Sequence, residues 1–287
     1  MLWKPTLLPL LGCLLASAPA LAGDAYDFTV TRQEEGGFAP QPGGGPAEGG
    51  DLHGRLIVDG RSYRLEPAPG GEDPPLYQAL VSNDGGAHEI ALNLKNRTFF
   101  APHPPKATSG LLRVLPIGEA SVSNVALESS EAPEMLAGVA TRRREIHLSY
   151  DVTLALSAPG RQPSDKPHVI ETVHGKVTVE AVYWLAPGTR PALPELLRPE
   201  IRTGFAEVDA RLAAATAALD GIPLQQRVTI SSTGDQGATP QRSVRTVRLE
   251  SHKRADTRPA LFEVPPGFRK HEPQMSHPGL GGALPPG

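Results

Sequence analysis

The stretch from Val169 to Pro187, VIETVHGKVTVEAVYWLAP, carries the clearest two-residue period in the chain. Val173, Val177, Val179, Ala181, Tyr183 and Leu185 share one parity, and Thr172, His174, Lys176, Thr178 and Glu180 share the other. Successive side chains of a strand leave on opposite faces, so the pattern demands a sheet with one apolar and one wet surface. The preceding segment obeys the same rule, with Ile146, Leu148, Tyr150, Val152, Leu154 and Leu156 set against Glu145, His147, Ser149, Asp151 and Thr153. Two such strands in succession predict a half-buried antiparallel sheet.

Beyond Pro191 the period changes. Ile201, Phe205, Val208, Leu212, Ala215 and Leu219 fall at helical spacing, Glu207 and Asp209 favour the early turns, and Gly221-Ile222-Pro223 provides the stop. The spacing predicts an amphipathic helix over 203–219, whose apolar stripe has the apolar sheet face as its partner. The expected fold class is mainly β (α+β), a curved antiparallel sheet (half-barrel) wrapped on one amphipathic helix.

The rest of the chain supplies further strands. Residues 1–22 read as an export signal: Lys4, an apolar run from Leu7 to Ala16, and the small-x-small site Ala20-Leu21-Ala22, with cleavage after Ala22. A competing reading takes Leu10-Leu11-Gly12-Cys13 as a lipobox with Cys13 acylated. Under cleavage after Ala22 no cysteine remains, so no disulfide forms. Residues 23–53 read as a flexible Gly/Pro-rich segment, with Tyr26 to Arg32 as a strand candidate inside it. Hairpins are expected around Asp59-Gly60, in a type I′ turn, and around Asn83 to Gly86. Thr98 to Phe100 extends the sheet, Leu111 to Leu115 and Val122 to Leu127 read as short strands, and Leu224 to Ser231 and Ser243 to Ser251 as two later ones. Leu261 to Lys270 closes a single domain over 54–270, followed by a loose tail over 271–287.

Four segments, GVATRRREIHLSY from Gly138, EAVYWLAPG from Glu180, GIPLQQRV from Gly221 and LFEVPPGFRK from Leu261, resemble an exported bacterial family of unknown function. That family is similar in architecture to the outer-membrane lipoprotein carriers, whose half-barrel holds acyl chains. The resemblance covers residues 138–270 and is most specific at Leu261, Phe262, Val264, Pro265, Gly267 and Phe268. It implies a half-barrel and, less directly, a lipid or acylated partner. This chain departs from the carriers in its inserted Pro/Gly loops and in having one clear helix.

Net charge is −3 and the basic residues are scattered, with Arg142 to Arg144 the only run, so no nucleic-acid partner is expected. The chain lacks G-x-S-x-G, H-E-x-x-H, a P-loop and a dinucleotide fingerprint, so neither an enzyme nor a cofactor is expected. His168 and His174 share a parity but lie about 20 Å apart along a strand, too far to hold one metal ion. No integral membrane span is expected. The candidate ligand-binding interior is apolar: Leu148, Tyr150, Val152, Val177, Val179, Ala181, Tyr183, Trp184, Phe205, Val208 and Leu212. Trp184 stands as a rim residue or as a packing residue whose indole N–H meets a loop carbonyl. These residues also suffice as an ordinary core, because each large apolar side chain contributes about 1.5–3 kcal/mol when buried. Two principal functions follow: a periplasmic module that holds an apolar ligand, or an envelope interaction protein with a filled core. An exported hydrolase is the third.

Overall fold

A computed structural model describes residues 22–35, 51–69, 77–102, 117–158, 168–234 and 240–271. The expected export signal apart from Ala22, the expected strand Leu111–Leu115 and the expected tail beyond residue 271 lie outside them. Twelve strands form one curved, unclosed sheet: β1 Ala22–Glu35, β2 Leu52–Asp59, β3 Ser62–Pro67, β4 Ala79–Ser82, β5 Ile90–Asn93, β6 Thr98–Phe100, β7 Ile117–Leu136, β8 Val139–Ala158, β9 His168–Ala186, β10 Ile222–Gly234, β11 Gln241–Asp256 and β12 Arg269–Lys270. Their order across the sheet is β12-β6-β5-β4-β3-β2-β1-β11-β10-β9-β8-β7. Neighbours are antiparallel except the short pair between β12 and β6. The sole α-helix among the described residues, α1, runs Ala206–Ala217 with Phe205 at its N-cap.

Register turns the sequence parities into rows. Leu148 faces Val179, which faces Ile230; Ile146 faces Ala181, which faces Val228. One row continues across half the sheet, from Tyr183 to Gln226, Val247, Val30 and Leu52. The inner face therefore carries two apolar regions. One gathers Ile146, Leu148, Tyr150, Val177, Val179, Ala181 and Tyr183 under Ile201, Val208, Leu212 and Leu219. The other gathers Tyr26, Phe28, Val30, Leu56, Val58, Tyr63 and Leu65 under Leu193 and Leu197. The second region is covered by the 187–205 segment that precedes α1, so the helix shares its task with a strap of mostly irregular backbone, which includes one 3-10 turn, Glu195–Leu197.

Three expectations need correction. Residues 23–35 are not a flexible lead-in. They form most of β1, a central strand whose Tyr26, Phe28 and Val30 are buried, and only the Gly/Pro run that follows falls outside the described residues. The alternation Tyr26-Asp27-Phe28-Thr29-Val30-Thr31 is the signal of the Tyr26–Arg32 strand candidate, which the structure extends to Ala22–Glu35. Phe28 lies opposite Gly54, where an added Cβ would meet the Phe28 ring at 2.6 Å, so the glycine makes room for the aromatic side chain. Next, Val122–Leu127 is not a short strand but the middle of the long β7, its alternation spoiled by a bulge between Ser123 and Ala126 with Asn124 at φ 52°. Lastly, the first hairpin turns on Gly60-Arg61, since Asp59 pairs with Ser62, and only Gly60 has positive φ. That is the pattern of a type II′ turn, not I′.

The closing segment behaves as expected and also covers the opposite face. Phe262 packs on Ala25 and Ile57, while Val264 and Phe268 pack with Ala79, Val81 and Leu92. Strands β2 to β5 are thereby buried on both sides. No helix among the described residues is long and apolar enough to cross a membrane.

Leu212, fully buried between α1 and the sheet, tests this arrangement. Leu212→Ala is expected to lower unfolding free energy by about 2–5 kcal/mol in urea denaturation, whereas Met135→Ala at the exposed β7–β8 hairpin stays within about 0.5 kcal/mol.

Candidate functional site

The residues proposed for an apolar interior come together, with one exception. Leu148, Tyr150, Val177, Val179, Ala181, Tyr183, Val208 and Leu212 lie in one contiguous cluster, with Val152 and Phe205 half-buried at its border. The Phe205 ring meets Tyr150 edge to face at 5.9 Å, joining the N-cap of α1 to the middle of β8. Trp184 is the exception. It has the parity of Val182 and Ala186, so it lies on the outer face, with the Arg143 guanidinium 5.9 Å above its ring. The indole N–H is buried and meets no acceptor among the described residues. Alternation along β9 held this information already, since adjacent Tyr183 and Trp184 cannot share a face.

The interior is filled by the chain itself. Val179, Val208 and Leu212 are 0% exposed and Leu148 1%. Around this packing lies a set of polar side chains that the sequence did not single out. Tyr183 Oη donates to Pro199 O at 2.8 Å, Gln226 Nε2 to Leu197 O at 3.2 Å and Arg198 O at 3.3 Å, and the Arg245 guanidinium to Leu196 O. Three neighbouring strands thus hold four consecutive strap carbonyls. Farther along the strap, Glu89 accepts from Tyr63 Oη and from Glu195 N–H, and Arg198 Nη2 donates to Gly86 O at 3.1 Å. Asp209 on the first turn of α1 accepts from Thr203 N–H at 2.6 Å and Thr203 Oγ1 at 2.8 Å, fixing the passage from strap to helix.

Several other titratable groups have structural partners. Asp84 accepts from the His88 backbone N–H and Ser82 Oγ and pairs with the His88 ring, which closes the β4–β5 loop. The His88 backbone bond, then its ring and Ser82, hold the Asp84 carboxyl well below the usual carboxylate range. His147 sits 3.5 Å from Glu145, and His174 shares a 3.0 Å hydrogen bond with Thr153. A cavity lies on the outer face of β1, β11, β10 and β9, about 500 Å3 in volume and lined mostly by charged and hydroxyl-bearing side chains.

Burial pushes the phenols of Tyr63 and Tyr183 upward, and Tyr150 is pushed up to about 12, chiefly by burial. A phenol held neutral in the fold contributes stability fully present below its unfolded pKa of about 10, and lost as pH rises through the folded value. The urea midpoint should therefore fall between about pH 10 and about pH 12, and Tyr150→Phe should reduce that fall. Tyr183→Phe should cost about 1–3 kcal/mol at neutral pH, because it leaves the buried Pro199 carbonyl without its donor. A midpoint constant across that pH range would contradict the assignment. No family model matches this chain, and no curated protein or solved structure matches it either.

Proposed function

We propose that the protein is an exported, non-enzymatic interaction protein of the cell envelope, in which the concave side of the sheet is a filled core and the exposed loops, edges and outer face meet partners. The observation that carries this reading is the complete burial of Val179, Val208 and Leu212 against one another's elements, with α1 occupying the place an apolar ligand would take. Export rests on the sequence: Lys4, the apolar run from Leu7 to Ala16 and the small-x-small site Ala20-Leu21-Ala22. The lipobox at Cys13 is the competing route, and intact mass of the secreted protein separates the two.

A second reading, an apolar ligand such as a lipid or an acylated partner held on the concave face, draws on the border between α1 and β7. There Phe205, Val122, Val125 and Val152 are only half-buried beside Tyr150, which leaves an apolar seam at the open side of the sheet.

Extraction of the purified, denatured protein decides between them. The filled-core reading expects no stoichiometric lipid in the extract and no rise in Tm with added fatty acid or phospholipid. Lipid at near one-to-one, together with loss of that lipid in Phe205→Asp, would overturn it in favour of the seam.

A further inference from the structure

The cavity on the outer face is a feature that the core does not explain. Its floor is formed by β1, β11 and β10, and the wall on one side by Glu180 of β9. Arg227 faces Thr246 across the β10–β11 ladder, and Arg248 stands two residues from Thr246 on the same face. The two arginines are therefore diagonal neighbours, about 7 Å apart at the backbone and within reach of each other's guanidinium. Both are exposed, and neither makes a hydrogen bond or an ion pair among the described residues. Like charges placed side by side on adjacent strands oppose the pairing. Thr229 lies on the cavity floor, only 7% exposed, and its hydroxyl has no hydrogen-bond partner among the described residues. Arg242, at the far end, is held by Glu35 at 3.7 Å and is thus already compensated.

We infer that this groove is a binding site for a small molecule bearing two or more oxyanion groups of the phosphate type, with Arg227 and Arg248 as the cationic clamp and Thr229 as a hydroxyl donor on the floor. Guanidinium groups present planar, multiple N–H donors that match such oxyanions, and the hydroxyl adds a third direction of contact. Two cations at diagonal spacing favour two linked anionic groups over one. Glu180 and Asp51, both lining the groove, oppose an anion and limit affinity, so neutralising Glu180 should strengthen binding. The inference is independent of whether the concave interior holds a ligand.

Calorimetric titration of the full protein with tripolyphosphate at low ionic strength tests it. Saturable binding at one-to-one is expected, about tenfold tighter than for inorganic phosphate and weakening as salt shortens the screening length. Arg227→Gln and Arg248→Gln should each weaken it about tenfold and Glu180→Gln should tighten it, while Lys176→Gln, a cation of the same face outside the groove, leaves it unchanged. These are surface changes, and unchanged Tm in each variant keeps the comparison clean. No saturable heat at millimolar tripolyphosphate, equal affinity for the single phosphate, or equal losses from Lys176→Gln and Arg227→Gln would each overturn the site.

Discussion

A chain segment that covers a core without joining a sheet or helix must still find partners for its backbone polar groups, because a buried, unpaired carbonyl costs about as much as a lost hydrogen bond. The strap from 187 to 205 faces that constraint over the apolar cluster that includes Phe28, Leu56 and Leu65. It is met by side chains that the sheet sends inward among the apolar ones: Tyr183, Gln226 and Arg245, on three adjacent strands, take the carbonyls of Leu196 to Pro199. The polar seam sits where the two apolar regions meet, so one set of donors anchors the cover of both. Burial lowers the pKa of Arg245, an effect Arg32 adds to; the guanidinium stays within the core because it has a carbonyl to bond. With the strap fixed, Thr203 and Asp209 set where α1 begins, and the helix stripe falls on Leu148 and Val179.

The parts of this arrangement that were legible in the sequence are those that repeat. Ile146 to Leu154 and Val173 to Leu185 announce their faces through alternation, and Ile201 to Leu219 through helical spacing, because each residue in a periodic element repeats the constraint of its neighbours. The strap repeats nothing. Its conformation is set by contacts to residues far away in the chain, and Gln226 or Arg245 read in isolation look like members of a wet face. The same limit explains β7, where a left-handed Asn124 and a bulge interrupt the parity, and the turn at Gly60, where one residue of register separates the two hairpin types. Trp184 is different: it shares the parity of Val182 and Ala186, and alternation alone puts it on the outer face. The periods make legible which of the interior residues share a face, whereas Arg227 and Arg248 become neighbours only through the β10–β11 register.

The two faces of the sheet divide the work unevenly along its width. From β2 to β5 both faces are covered, by the strap on one side and by Phe262, Val264 and Phe268 on the other. From β11 to β8 the outer face carries mostly charged and hydroxyl side chains among the described residues, with Val182, Trp184 and Ala186 buried toward the end of β9. A strand buried on both sides is a rigid floor, whereas a strand wet on one side can exchange polar partners with solutes at little cost to the core. The outer groove begins where double coverage ends.

An open sheet also has to keep its edges from pairing with other chains. At one end β12 is two residues long, too short to template a partner. At the other, β7 is long, and its sequence carries the devices that discourage addition: the bulge and left-handed Asn124 near its middle, Pro133 toward its end, and glutamates at 128, 131 and 134 with no basic residue on the strand itself. Glu131 and Glu134 are drawn back onto Arg142, Arg143 and Arg144 of β8. The only basic run in the chain therefore compensates the acidic edge from within the sheet. A second copy approaching β7 along its edge would meet like charge, a bent strand and a missing N–H donor together, which is how a sheet of this length can end without closing on itself.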